Sequence, residues 1–456
     1  MSTAQTWIAE LRPMAALATP IVVAEVGWML MGIVDTMMVG RLPDSAAAIG
    51  AVSLGTVLFY MVGIFGSGML LGLDTLVSQS FGAGDLRDCH RSLRNGLYLT
   101  VPLAPVLMAV LWGWGPLVRL LGEDPAVLRL LGPYLNTLTW STFPLLVYFA
   151  ARRYLQSVNV ARPVMVALVT ANLVNLAGNW ALVYGHWGAP ALGVAGSAWA
   201  TVISRVYMAV LLLGVIFWRE GVGWLRDETR PDFARMRRLL ALGFPAGTQI
   251  LLEVGVFAAA AALIGRLDAV SLAGHQIALN SVATTFMVTL GIGSAAAVRV
   301  GQALGRKDRA AAARSGWTAL ALGTAFMTCA GTLFLTLPRP LARIYTSDEN
   351  VIRTAIALLG VGAFFQIFDG LQVVVAGALR GLGDTRTPMI CHLLGYWGVG
   401  LPLGYVLCFQ AGWGAFGMWI GLCVGLILIG SVLLGLWARR VRGWLLAPEV
   451  TGLGTN

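Results

Sequence analysis

Charge is what this sequence has least of. Asp, Glu, Lys and Arg make up 11% of its 456 residues, where a soluble domain carries about 25%. So few charges cannot give a folded chain of this length a water-compatible surface. Soluble enzyme, secreted domain and disordered chain are therefore excluded as readings of the whole. Cysteine is scarce too. Cys89, Cys329, Cys391, Cys408 and Cys423 include no CxxC pair, which speaks against a disulfide framework or a zinc site and for small buried hydrophobes. The four histidines are dispersed, unlike the clustered His and acids of a membrane enzyme. No GxxxxGK[ST] loop and no HExxH occur, so the chain is read as neither an ATPase nor a metallohydrolase. It is expected to be no enzyme and to need no cofactor. Any pumping then draws on an ion gradient.

What is present is apolar: 58% of residues are hydrophobic, and the mean hydropathy is +0.78. A spanning helix takes roughly 20 mostly apolar residues. Twelve such stretches are predicted, near 13–39, 46–79, 95–118, 126–150, 161–185, 192–218, 238–264, 270–300, 315–337, 350–378, 387–409 and 413–438. The first apolar run follows Glu10 and Arg12 without a small-residue cleavage site and is read as the first span, not a signal peptide. The fold class expected is an all-α polytopic membrane protein.

The net charge of +10 sits in short loops, which fits loops facing anionic lipid better than nucleic acid. With the N-terminus inside, twenty-three of the thirty-one Arg and Lys residues fall in inner loops, seven in outer loops, and Arg205 within the sixth span. The positive-inside rule thus places both termini in the cytoplasm. The arginine-heavy usage (Lys307 is the one lysine) points to a bacterium, whose inner membrane is the expected location.

The sequence repeats itself at an offset of 221–225. ALATP at 16–20 returns as ALGFP at 241–245, and GRL at 40–42 as GRL at 265–267. Gln79, Gly82 and Asp85 return as Gln302, Gly305 and Asp308, and Pro163 as Pro388. Two six-helix lobes related by a pseudo-two-fold axis along the membrane normal follow. The expected division is an N-lobe over 1–218, a cytoplasmic linker over 219–238, a C-lobe over 239–438 and a cytoplasmic tail over 439–456.

Ionisable groups inside spans are costly and mark function. Asp35 and Glu25 lie on span 1, Glu253 on span 7 and Asp369 on span 10. Helical spacing gives Asp35 a possible stripe of Asn172, Asn175 and Asn179 on span 5. It sets Gln249 one turn before Glu253, Gln276 one turn before Asn280, and Phe365 one turn before Asp369. An aromatic face beside a carboxylate suits a cation. Against this, amides in spans often tie helices together, Asp74 reads as an interfacial or capping residue, and His275 and His392 read as satisfied interior side chains. Tryptophans near span ends, such as Trp112, Trp187 and Trp413, form an interfacial belt.

Several segments resemble one family throughout the chain. They are VDTMMVGRL at 34–42, GLDTLVSQSFGAGD at 72–85, NLVNLAGNWALVYG at 172–185, LAGHQIALN at 272–280, GIGSAAAVRVGQALG at 291–305 and FQIFDGLQVVVAGALRGLGDTRTP at 365–388, with the Glu of LLEVGVF at 251–257. The chain is similar to the multidrug and toxic compound extrusion (MATE) transporters, in their NorM-like bacterial branch. The resemblance implies a V-shaped twelve-helix exporter of drugs and organic cations, exchanging them for Na⁺ or H⁺. It implies that Asp35, with Asn175 and Asn179, is a proton or substrate site. It further implies that Glu253 and Asp369 couple a cation, Na⁺ included, with Phe365 facing it. Two residues depart from the pattern: Glu25, where a neutral residue is expected, and Trp180, where tyrosine is common. Small molecules and membrane lipid are the expected partners, and the two-lobe cavity fits a monomer. A lipid-linked precursor flippase is the alternative, expected to carry many arginines in its cavity. A major-facilitator porter is disfavoured because its charged loop signature is missing from GAGDLRDCHRS at 82–92.

Overall fold

The computed structural model describes residues 3–120, 124–221 and 230–446. Part of the expected linker (222–229) and of the tail (447–456) lies outside the described residues. The elements are helices: α1 (Thr3–Val39), α2 (Ser45–Met69), α3 (Gly72–Gly82), α4 (Leu86–Leu120), α5 (Pro125–Thr139), α6 (Thr142–Ser157), α7 (Arg162–Tyr184) and α8 (Val194–Glu220). The repeat continues with α9 (Phe233–Ile264), α10 (Ala269–Gly305), α11 (Arg309–Thr336), the short α12 (Pro338–Arg343), α13 (Glu349–Gly381), α14 (Arg386–His392), α15 (Leu401–Tyr405) and α16 (Gly414–Leu446). Two stretches of π-helix, Leu393–Gly400 and Val406–Gln410, join α14 to α15 and extend it.

Eleven helical segments among the described residues are long and apolar enough to cross a membrane. The expected fourth span is the one not among them. It is divided at Trp140–Ser141 into α5 and α6, each too short alone. Ser141 and Thr142 there turn their hydroxyls back onto the carbonyls of Leu138 and Thr139. Such back-bonding competes with the regular ladder and bends a helix.

Aspartates start several of these helices. The side chain of Asp124 accepts from the amide of Ala126, Asp268 from Ser271, and Asp308 from Ala311, each at 2.7 Å, and Asp348 from Asn350 at 2.8 Å. Each satisfies an amide that no carbonyl of the first turn can reach. Hydrogen bonds from Ser271 hold the Asp268 carboxyl below the usual carboxylate range.

Close helix contact replaces the hydrophobic effect as the packing force where the surroundings are lipid. A Cβ on Gly377 of α13 would fall 2.1 Å from the Gly293 carbonyl of α10. Only glycine permits this crossing. Large apolar side chains elsewhere point outward, as Leu173, Val210 and Val106 do.

The chain forms two compact units: residues 15–257, and residues 258–456 together with 1–14. The first turns of α1 thus belong with the second half of the chain, and most of α9 with the first half. Polar side chains hold both in place. In one unit Glu10 accepts from Arg299 at 2.8 Å and from Ser315 at 2.7 Å. In the other, Arg235 pairs with Asp88 and donates to Ser92 at 3.2 Å, while Asp232 meets Arg91 at 2.6 Å. In the repeat register Glu10 corresponds to Arg235 and Ser315 to Ser92, so equivalent positions carry opposite charge. The Arg235 backbone amide, followed by Arg91, holds the Asp232 carboxyl below its ordinary range.

Gly377→Val is expected to lower the melting temperature by about 5 °C or more through overpacking. Gly435→Val, with no atom within 4 Å of its Cβ, should leave it unchanged. Melting curves of the two purified variants check the pair.

Candidate functional site

Asp35 lies one turn before the end of α1 and is buried. Its Oδ1 accepts from the side-chain amides of Asn175 at 3.0 Å and Asn179 at 2.8 Å. Its Oδ2 accepts from the Thr201 hydroxyl at 2.9 Å. Asn175 and Asn179 are fully buried and one turn apart on α7, and Thr201 faces them from α8. The carboxylate is therefore held by three neutral donors. Neutral donors leave its charge in place, so it remains able to take a proton or face a cation. Thr201 had no place in the sequence reading. Its spacing to Ser197 and Arg205, one turn either side on α8, was the available signal.

Asn172 does not join this cluster. Its amide donates to the carbonyls of Gly27 (3.0 Å) and Leu168 (2.9 Å), tying α7 to α1. Trp180 stacks on His186 with ring centroids 4.2 Å apart. Beside it, Val34, Met37, Met38, Arg41, Leu176 and Trp180 line a cavity of about 330 Å³.

Glu25 is buried against α6, paired with Arg152, which is itself 1% exposed. Asp74 pairs with Arg153 at 3.5 Å. Arg152 and Arg153 read from sequence as inner-loop residues, and Asp74 as an interfacial one. All three are buried, because α6 continues to Ser157 and carries both arginines into the interior. Arg205, on α8, is buried as well. Its guanidinium donates to the Ser141 hydroxyl at 2.5 Å and lies 4.3 Å from the Phe59 ring centroid and 5.9 Å from that of Trp28.

Glu253 is buried on α9, within the same compact unit as Asp35 and Glu25. Gln249 is half-buried one turn before Glu253.

The other unit holds Asp369 on α13, also buried, accepting from the Gln372 amide at 3.3 Å. One turn earlier, Phe365 is 1% exposed and its ring lies 6.1 Å from that of Trp419. The Trp419 indole donates to His275 Nδ1 at 3.0 Å, giving that interior histidine a partner. His392 finds one in the Pro388 carbonyl at 2.7 Å. Gln276 and Asn280 are exposed on one face of α10, with Thr284 one turn further. A polar stripe of this kind inside a span suits a water-filled cavity and not lipid.

Glu25→Gln is expected to destabilise the protein by about 3–5 kcal/mol, since it leaves the Arg152 charge buried and uncompensated. The double variant Glu25→Gln with Arg152→Met should recover most of that loss. A double-mutant cycle from denaturation of the purified variants measures it.

The MatE family model matches the chain twice, over residues 20–181 and 245–406. The two matches are displaced by the same interval that the sequence repeat shows. A probable multidrug resistance protein NorM of Mesorhizobium japonicum is 38% identical over 96% of this chain and 95% of its own. The multidrug resistance protein MdtK of Edwardsiella ictaluri is 33% identical over 97% and 99%. Among solved structures, a eukaryotic MATE transporter, AtDTX14, superposes with a TM-score of 0.85 at 21% identity, covering 96% of this chain and 98% of that one.

Proposed function

The chain belongs to the MatE family, and from that premise we propose that it is a secondary active multidrug exporter of a bacterial inner membrane. It moves amphipathic, mostly cationic compounds outward in exchange for H⁺ or Na⁺. The observation that carries the reading is Asp35: a carboxylate buried in a spanning helix and held by three uncharged donors. A structural acid at that depth would be matched with a cation, as Glu25 is with Arg152. An acid held by neutral groups keeps a negative charge available to cargo or proton.

Three acids serve the exchange. Asp35 takes a proton, supported by Asn175, Asn179 and Thr201. Glu253 and Asp369, each in its own compact unit, serve cation coupling, with Na⁺ as the metal ion either would take through its carboxylate oxygens. Phe365 shapes the surroundings of Asp369, Gln249 lies one turn from Glu253, and Gln276 and Asn280 offer cargo a polar face of α10. Ion and cargo need not share atoms. Exchange requires only that each binds one conformation better than the other. The termini and the arginine-rich helix ends face the cytoplasm in this reading, and residues 219–238 are the linker between the two lobes.

The flippase alternative calls for arginines free to hold a pyrophosphate. Arg152 and Arg153 are instead engaged by Glu25 and Asp74, and Arg205 alone falls short of the many arginines a flippase cavity calls for, which favours the drug exporter.

Asp35→Asn and Asp369→Asn should each abolish energised ethidium efflux from cells while leaving the protein folded at wild-type levels. Wild-type efflux from either variant would remove that residue from the coupling scheme.

A further inference from the structure

Arg205 is a buried cation with no acid at its side. It is 8% exposed, and among the described residues no carboxylate lies within ion-pairing distance of it. Glu25 is taken by Arg152 and Asp74 by Arg153. Arg205 has instead one hydroxyl, Ser141, and the faces of Phe59 and Trp28, while its Nε is buried without a partner. A charge buried this way is costly, and ring faces offset only part of that cost.

Its position relates it to Asp35. Arg205 follows Thr201 by four residues on α8, hence on the same face, and the Thr201 hydroxyl donates to Asp35. One turn of helix separates them, which sets the guanidinium on the order of 10 Å from the carboxylate. The groups facing Asp35 from neighbouring helices are Asn175 and Asn179 of α7, Thr201 and Arg205 of α8, and Tyr134 of α5, which bonds Thr56 of α2. Tyr134 bonds Thr56 through a neutral phenol, so Arg205 is the charged member of this set, one helical turn from the Thr201 that holds Asp35.

Resting on the reading of Asp35 as an exchange site, we propose that Arg205 is a specificity-determining residue: a fixed internal cation that sets how tightly Asp35 holds a proton and how tightly it holds a cationic drug. With Asp35 ionised, the two opposite charges partly offset each other across the gap. With Asp35 protonated, the charge of Arg205 stands alone and repels a cationic cargo, so proton uptake expels the drug by charge as well as by competition. Arg205 also opposes proton binding, so at cargo concentrations below saturation Asp35 takes its proton at a lower pH than it would without the arginine. At an effective dielectric of about 20, a unit charge some 10 Å away changes either affinity by roughly tenfold.

The test is acid displacement of bound ethidium from the purified full-length protein in lipid nanodiscs, followed by fluorescence. With ethidium held well below its dissociation constant, the displacement midpoint in Arg205→Gln and Arg205→Met should rise by about one pH unit, and a separate ethidium titration at alkaline pH should show about tenfold tighter binding. Arg205→Lys, which keeps the charge, should stay near wild type. The methionine variant fills the space over Phe59 and Trp28 without a charge. Wild-type midpoints in the glutamine and methionine variants, or an equal shift in the lysine variant, would overturn the proposal. So would failure of both uncharged variants to fold, which would make Arg205 a structural residue. Asp35→Asn separates the two levels. If acid still displaces ethidium from it at the wild-type midpoint, the exchange role of Asp35 fails. If it abolishes displacement while the Arg205 variants do not shift, only the role of Arg205 fails.

Discussion

Every ionised group inside a membrane span must be answered by a partner, and the answer given to Asp35 organises the site around it. Its oxygens draw two amides from α7 and a hydroxyl from α8, joining three helices at one carboxylate. Asn172 adds a further tie between α7 and α1. The geometry of the first half thus follows from satisfying one charge with neutral dipoles, which fixes the carboxylate in place and leaves the charge itself uncancelled.

The other buried charges receive a different answer. Glu25 and Asp74 are each met by an arginine of α6. Such pairs are locked, because removing one partner strands the other. Glu25 and Asp74 are thus spent on structure, while Asp35 stays poised for exchange. The second half repeats part of the design with a different chemistry. Asp369 has an amide neighbour at Gln372, and Phe365 lies one turn away beside Trp419 and His275. The N-terminal parts of α1 and α9 show the same divergence, with Glu10 and Arg235 filling equivalent positions with opposite signs. The repeat conserves backbone topology while letting the side-chain chemistry of the two halves separate.

Much of this was legible in the sequence, for physical reasons. Hydropathy runs reveal spans because lipid demands them, and the repeat is visible because two halves of equal topology need the same glycines and prolines in the same register. Asp35, Asn175 and Asn179 could be grouped because residues four apart share a helix face. Partners on other helices were less accessible. Thr201 lies 166 residues from Asp35, and nothing in local spacing joins them. Arg152 read as a loop residue because hydropathy falls at Arg152–Arg153. Only the tertiary pairing with Glu25 keeps those arginines inside. The fourth span read as one helix because its break at Trp140–Ser141 depends on hydroxyls turning back onto carbonyls, which leaves no mark on hydropathy.

The most direct test of the account imposes a pH gradient and a Na⁺ gradient separately on proteoliposomes containing the wild-type protein and follows ethidium movement. If a carboxylate held by neutral donors is the exchange site, a pH gradient alone must drive ethidium against its own concentration gradient. Transport driven by Na⁺ alone, with no response to pH, would contradict that claim and move the coupling to Glu253 and Asp369. No transport under either gradient would contradict the exporter reading itself.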